Sequence, residues 1–302
     1  MQSLFGFVGP NAEIEVVLNE EDQRKQIETK DKINCPLYFD GESVTGKVQV
    51  RLKDGRKLEH QGIKVEFIGQ IQLFYDRGNH YEFLSQTQEL CAPGDLRQSS
   101  TFEFDFKNVE KQYESYHGIN VKLRYIIRVS VGRRLADISA EKEIWVHSYR
   151  MPAEIQEAIK MEVGIEECLH IEFEYNKAKI KIKNMELSII RRETTGSGNT
   201  QYNESETITR FEIMDGAPVK GETIPIRLFL SGFELTPTYR DVNKKFSTRY
   251  YLNLVLVDEE NRRYFKQQEI TIYRVQDDSE ELKAIAGGAT VAGLSTFTQE
   301  KL

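Results

Sequence analysis

Apolar and polar residues alternate with a period of two along most of the chain. In IKVEFIGQIQLFY at residues 63–75, six apolar residues share one parity, namely Ile63, Val65, Phe67, Ile71, Leu73 and Tyr75, and Phe102, Phe104 and Phe106 alternate with acidic residues. Because successive side chains of a strand point to opposite faces, this pattern predicts strands with one face in a core. Gly69 interrupts the first run and predicts a bulge or a bend. Shorter strands are predicted at residues 13–18, 46–52 and 144–147.

A second series of strands follows a change of rhythm at residues 150–163, where Pro152 and a helix-compatible stretch predict a connection. Beyond it the alternation predicts strands at residues 169–175, 180–190, 206–214, 222–230, 249–257 and 264–273. Residues 250–257 are apolar on both parities, which predicts a central strand covered on both faces. Glycine and Asx clusters supply the turns.

The two series predict an all-β fold of two immunoglobulin-like sandwiches in tandem. The predicted domains are residues 1–149 and 164–275, joined by the connection at 150–163. Residues 276–302 are rich in Ala, Gly, Ser and Thr, and we expect a flexible tail there.

The composition is that of a folded protein and contains no candidate membrane span. Of 302 residues, 39% are apolar and 29% charged, and no apolar run approaches the ~20 residues of a membrane helix. The N-terminus lacks the basic region of a secretory signal, and the three cysteines form no CxxC pair. We therefore expect a cytoplasmic protein with reduced thiols.

A net charge of −7 disfavours nucleic acid as a partner. One basic stripe is nevertheless present in this acidic chain. Lys122, Arg124 and Arg128 lie on the polar parity of VKLRYIIRVSV, and Arg133 and Arg134 follow just beyond. A solvated strand face explains this stripe, and contact with an acidic partner or anionic lipid headgroups is the alternative.

No constellation of residues indicates an enzyme or a cofactor. Residues 216–221, GAPVKG, lack the spacing and the following helix of a phosphate-binding loop, and the proline removes an amide donor. GESVTG at residues 41–46 is one residue too long for a nucleophile elbow. His170, Glu172 and Glu174 share one strand face and could ligate a metal, but a solvated face over a core explains them better.

Binding is then expected in loops, of which three stand out: residues 75–90, residues 111–121 and the loop that follows Ile213 and Met214. Ile213 and Met214 end a strand just before Asp215 and Gly216 turn the chain. Two interpretations of this apolar pair remain open. Either it belongs to the core at a strand end, or it is an exposed anchor for a partner.

Long stretches of the sequence resemble one family of arrestin-like proteins. They include LYFDGESVTGKV, KLEHQGIKVEFIGQIQLF, IKMEVGIEECLHIEFEYNK, FEIMDGAPVKGETIPIRLFL and TPTYRDVNKKFSTRYYLNLVLVDEENRRYFKQQEI. These blocks are similar to the vacuolar protein sorting-associated protein 26 family, the arrestin-like subunits of retromer. The resemblance covers nearly all of residues 13–273. It implies two tandem arrestin-like β-sandwiches and a non-enzymatic coat subunit, recruited to the endosomal membrane, that serves retrograde transport to the Golgi and recycling to the cell surface.

The resemblance also implies partners and sites. The second sandwich is expected to bind the solenoid subunit, vacuolar protein sorting-associated protein 35, through Ile213 and Met214. That subunit carries the metallophosphatase-like subunit, vacuolar protein sorting-associated protein 29, at its other end. Cytoplasmic tails of cargo receptors, held together with a sorting nexin, are expected to lie along Tyr264 and Phe265 by strand addition. The turn at Asp40 is the expected contact for a PDZ-type nexin.

The sequence departs from this family between Lys179 and Ile180. About one strand and its hairpin are missing there, so the second sandwich is expected to have unpaired edges. The alternative function is an alpha-arrestin-type trafficking or ubiquitin-ligase adaptor. That class uses PPxY motifs, and the seven prolines of this chain include no Pro-Pro pair.

Overall fold

The computed structural model describes residues 6–8, 12–53, 56–76, 79–149, 182–196, 201–216, 224–230 and 232–274. These residues belong to two units, the first ending at Ser148 and the second beginning at Tyr149. The predicted connection at 150–163 and the predicted tail at 276–302 lie outside the described residues. The domain boundaries therefore stay predictions.

The described residues of the first unit form β-strands and one short 3-10 turn at Glu21–Gln23. Its described strands are β1 (Gly6–Val8), β2 (Ala12–Leu18), β3 (Gln26–Glu28), β4 (Asn34–Phe39), β5 (Val44–Leu52), β6 (Leu58–His60), β7 (Ile63–Leu73), β8 (His80–Cys91), β9 (Gly94–Leu96), β10 (Ser100–Phe106), β11 (Tyr116–His117), β12 (Val121–Val131) and β13 (Ile138–His147). Each strand predicted in this half of the sequence is present.

Two sheets form the layers of this unit. One has the order β1-β2-β5-β10, and the other has the order β3-β4-β13-β12-β7-β8, with β11 paired to β12. Pairing is antiparallel except between β4 and β13. Phe67 of one sheet lies 5.9 Å from Phe106 of the other between ring centroids, and both side chains are buried. The core therefore lies between the two sheets, as expected of a sandwich.

Gly69 sits at an irregularity in the sheet, as the sequence predicted. The register between β7 and β8 shifts after the pair Gly69 and Leu84, which leaves Phe83 of β8 without a residue opposite it. A Cβ atom on Gly69 would lie 2.6 Å from the Phe83 ring. Glycine is needed here because the bulge turns an aromatic ring onto the β7 backbone.

The second unit, as far as it is described, is built on one sheet. Its strands are β14 (Ile182–Thr195), β15 (Tyr202–Asp215), β16 (Tyr239–Val242), β17 (Phe246–Asp258) and β18 (Arg263–Ile270). The order is β15-β14-β17-β16, and β18 pairs with β17 beyond the end of β16. β17 is central, as predicted, and residues Leu254–Val257 are buried on both parities. The prediction of an all-β, arrestin-like chain is confirmed.

Of the strands predicted in the second half of the sequence, the one at residues 169–175 lies outside the described residues, and the one at residues 222–230 is not formed in its described part. Residues 224–230, IPIRLFL, were expected to pair in a sheet, but they carry no strand assignment. Leu228 and Leu230 nevertheless pack against the core cluster of Ile189, Tyr250 and Ile270. The segment thus contributes its apolar side chains without a hydrogen-bonded neighbour among the described residues. The predicted break at 179–180 lies outside them.

Candidate docking surfaces

The end of β15 carries Ile213 and Met214 on an irregular piece of the sheet. Met214 lies opposite Met185 of β14 and Glu212 lies opposite Glu186, so Ile213 has no residue opposite it. This bulge adds one residue to β15 and changes the direction of the side chains at the strand end. Both Ile213 and Met214 are half-buried. The pair is therefore neither fully buried in the core nor fully exposed. Its assignment as the docking site stays a prediction.

Gly216 fixes how the chain leaves this strand. Its φ of +102° lies in the region that favours glycine, and its backbone N–H donates to the Lys183 carbonyl at 2.6 Å. Residues 217–223 lie outside the described part of the chain. The described chain resumes at Ile224, and no described helix follows this turn. The expectation that residues 216–221 do not form a phosphate-binding loop stays a prediction, because residues 217–221 lie outside the described part of the chain.

The second candidate surface is β18, which ends the described sheet on the side of β17 opposite to β14. Phe265, opposite Val255 in the register, is 66% exposed. Tyr264 lies on the other parity and is half-buried. An exposed aromatic ring on a strand at the edge of a sheet suits an extended peptide, whose backbone pairs with the edge while a side chain packs on the ring. The role of Tyr264 and Phe265 in binding cargo stays a prediction.

Asp258 holds the hairpin that positions Tyr264. Its buried carboxylate accepts from the backbone N–H groups of Glu260 and Arg262 at 3.0 and 2.8 Å, and from Arg262 Nε at 2.6 Å. The Tyr264 hydroxyl donates to Asp258 Oδ2 at 3.1 Å. Burial acts to raise the pKa of Asp258, but the hydrogen bonds from Arg262 and Tyr264 outweigh it, so the pKa lies below its ordinary value.

Asp258 is not among the site residues predicted from the sequence. An aspartate directly after a long apolar strand, followed by Glu-Glu-Asn, is the type of residue that caps a turn with its own side chain. This pattern could have predicted the turn. The hydrogen bond from Tyr264 to Asp258 could not be predicted in this way, because it depends on the register of β17 and β18.

The third candidate surface is the turn at Asp40, between β4 and β5. Asp40 is half-buried, and its Oδ1 accepts from the backbone N–H of Lys111 at 2.6 Å. Lys111 is fully buried, and its Nζ donates to the carbonyl oxygens of Phe39, Glu42 and Val109. The Asp40 turn is therefore fixed from inside by a buried lysine that sequence reasoning did not identify.

A polar cavity of about 380 Å³ lies beside this turn. Arg24 and Tyr38 line it, with the Arg24 guanidinium 3.8 Å from the centroid of the Tyr38 ring. Arg24 also pairs with Glu42 at 2.9 Å. Ser43, which lies in the GESVTG turn, accepts from the backbone N–H of Asn108 at 3.0 Å. The first half of this segment, residues 41–43, lies at the turn as expected, and its second half begins β5.

The basic stripe on β12 is compensated within the first unit. Lys122 pairs with Asp31 at 3.0 Å and with Glu143 at 3.2 Å. Arg124 and Arg128 both pair with Glu141, at 3.2 and 2.9 Å. The expectation of a solvated face was wrong for Lys122, which is 8% exposed, because acidic residues of neighbouring elements enclose its ammonium group. Stripe charges already engaged with carboxylates offer little to an anionic partner.

Comparison with known proteins decides the family. The family model for vacuolar protein sorting-associated protein 26 matches residues 8–261. The chain belongs to this family. It is 59% identical to vacuolar protein sorting-associated protein 26B of Danio rerio, over 91% of this chain and 89% of that protein. The identity to vacuolar protein sorting-associated protein 26B of Homo sapiens is 56%, over 91% of this chain and 88% of that protein.

Family membership sets the broad function. This is a retromer-type vacuolar protein sorting subunit, a component of a sorting complex and not an enzyme, as the sequence predicted. The described residues contain no cluster of His, Cys, Asp and Glu that could hold a metal ion. His170, Glu172 and Glu174 lie outside them. No helix in the described part of the chain is long and apolar enough to cross a membrane.

The same comparisons show that this chain lacks residues present in its relatives. Both matches extend over 297 aligned positions, but 91% of the 302-residue chain is only about 275 residues. Residues are therefore missing inside the matched region. That the gap lies at Lys179–Ile180, and that it removes one strand and its hairpin, stays a prediction.

Proposed function

We propose that this protein is the arrestin-like retromer subunit that docks on the solenoid subunit, vacuolar protein sorting-associated protein 35, through Ile213 and Met214. Through that scaffold it is joined indirectly to vacuolar protein sorting-associated protein 29. The observation that carries the proposal is the bulge at Ile213, which places a half-buried apolar pair at a strand end beside the turn at Gly216. Methionine can adapt its shape to a helical partner, and a small apolar anchor can dominate an interface.

A pull-down of the solenoid subunit tests this docking. Ile213→Ser combined with Met214→Asn removes the apolar anchor, and we expect binding to fall at least about tenfold, the equivalent of ~1.4 kcal/mol. Phe211→Ser is the matched control, since Phe211 lies on the same strand and is 37% exposed but precedes the bulge. Undiminished capture by the double variant, with its circular dichroism unchanged, removes Ile213 and Met214 from the interface.

We further propose that β18 receives cargo. The cytoplasmic tail of a transmembrane receptor would add as a strand along β18 and pack a side chain on Phe265, with Tyr264 fixed beside it by Asp258. A sorting nexin shares this contact, and the Asp40 turn of the first unit meets a PDZ-type nexin. In this proposal the protein is cytoplasmic and reaches the endosomal membrane through these partners, for retrograde transport to the Golgi and recycling.

Cargo binding is tested with a fluorescent receptor-tail peptide in the presence of the nexin. Phe265→Ala removes the exposed ring, and we expect weaker peptide binding by roughly fivefold or more, because truncation of an aromatic anchor costs about 1 kcal/mol or more. Gln267→Ala, on the same strand and parity, serves as the control. Equal affinity of both variants and the unaltered chain would refute the assignment of Phe265.

A further inference from the structure

Residues 224–230 have no regular secondary structure, and Pro225, Ile226, Arg227 and Phe229 among them are exposed. Pro225 has no N–H group, and from Ile224 to Phe229 no backbone N–H or carbonyl group makes a hydrogen bond within the described residues. Water can satisfy such groups where the segment is exposed, but an added strand can satisfy them as well. Within the described residues the segment therefore has unpaired backbone groups of the kind that a sheet edge presents.

Its side chains already follow strand geometry. Leu228 and Leu230 pack on the cluster formed by Ile189, Tyr250 and Ile270, while Arg227 and Phe229 are exposed. Phe229 is 69% exposed, and the Arg227 guanidinium lies 5.2 Å from the centroid of its ring. One face of the segment is thus anchored in the core, and the other presents an aromatic ring with a cation above it.

The predicted loss of a strand at Lys179–Ile180 would account for the unpaired edge. This chain lacks residues within the matched region, and it retains an apolar segment whose pattern is that of a paired strand. A strand missing from a sheet leaves its former neighbour with unpaired backbone groups and a partly exposed apolar row. Ile226, which is 43% exposed on the parity of Leu228, fits such an incomplete row.

We propose that residues 224–230 accept an extended strand from a partner protein, one that alternates apolar and acidic residues. The backbone of the partner would pair with the edge. Its apolar side chains would continue the row of Ile226 and Leu228, and its acidic side chains would lie on the face of Arg227. Among the described residues no carboxylate pairs with Arg227, so the opposite charge would come from the partner.

The test uses the full 302-residue chain and two fluorescein-labelled peptides of the length of this segment. One alternates valine and glutamate, and the other alternates valine and lysine. Fluorescence anisotropy should show that the glutamate peptide binds about threefold or more tightly than the lysine peptide, because cross-strand charge pairs contribute roughly 0.2–1 kcal/mol each. Arg227→Glu should reverse this order, and Arg227→Gln should abolish it.

Three results would overturn the proposal. The first is equal binding of both peptides to the unaltered chain and to Arg227→Glu. The second is no binding of either peptide, together with slow hydrogen exchange of the 224–229 amides in the free chain, which would mean that the chain itself covers this edge. The third is loss of binding in Phe265→Ala, which would move the acceptor site to β18. Retained binding in that variant separates this site from the proposed cargo site.

Discussion

At the scale of single residues, Lys111 is the clearest case of a charge placed for structure. Its side chain is fully buried, and its three acceptors are backbone carbonyl oxygens, two of which flank Asp40 in the chain. Burial lowers its pKa to about 8, although the carboxylates of Glu42 and Asp40 act in the opposite direction. The lysine thus fastens the Asp40 turn from within the core.

This burial makes stability depend on pH in a defined direction. The folded pKa of Lys111 is about 8, against an ordinary value of 10.5. Between these values the unfolded chain holds a proton that the folded chain has released, so Lys111 makes the free energy of unfolding rise with pH. Lys111→Met should lose this contribution. Urea unfolding at pH 8 and pH 10.5 measures the free energy of unfolding of both proteins. The value for the unaltered chain minus the value for Lys111→Met should increase with pH. A difference that is constant or decreases would contradict the assignment.

At the scale of elements, the β17–β18 hairpin depends on one carboxylate. Asp258→Asn keeps the size of the side chain but removes the charge that accepts from Arg262 and Tyr264. We expect a loss of about 1–3 kcal/mol in the free energy of unfolding and faster hydrogen exchange in β18. Glu260→Gln is the control, because the side chain of Glu260 is 72% exposed, and its effect should stay within about 0.5 kcal/mol. Equal effects of the two substitutions would show that Asp258 does not organise the hairpin.

Asp258 also makes the free energy of unfolding depend on pH in the acid range. Because the folded pKa of Asp258 lies below the ordinary 3.8, its contribution to stability is present above that pH and is lost as the pH falls through the folded value. The Asp258→Asn variant should therefore approach the stability of the unaltered chain in strong acid.

The elements also show how far sequence patterns reach. Alternation placed β7 and β10, because one buried face imposes a local period of two, and an apolar run on both parities placed β17. The strand predicted at residues 222–230 is not formed in its described part, residues 224–230, since pairing requires a neighbour that the segment itself cannot specify. The sequence pattern could not predict the bulge at Ile213, because the bulge depends on the register with β14. It could not predict the burial of Lys122 either, because that burial depends on Glu143 and Asp31.

At the scale of the whole molecule, the described parts of the two units differ in how many sheets they contain. The described part of the first unit has three sheets, and Phe67 and Phe106 meet in the core between the two larger ones. The described part of the second unit has one sheet, and the segment at 224–230 covers it without pairing. Backbone groups left unpaired contribute less to stability than those in a sheet, so we expect the second unit to unfold at the lower temperature.

Scanning calorimetry of the full chain can test this order with one substitution in each unit. Ile189→Ala opens a cavity beside Tyr250 in the second unit and should shift only the lower transition, by an amount equivalent to about 2–5 kcal/mol. Phe67→Ala removes a buried ring that contacts Phe106 and Tyr125 in the first unit and should shift only the upper transition. The valine–glutamate peptide should raise the lower transition alone, because a ligand stabilises the unit that binds it. A single transition that moves with both substitutions would show instead that the chain unfolds as one cooperative body and that the open edge does not weaken the second unit.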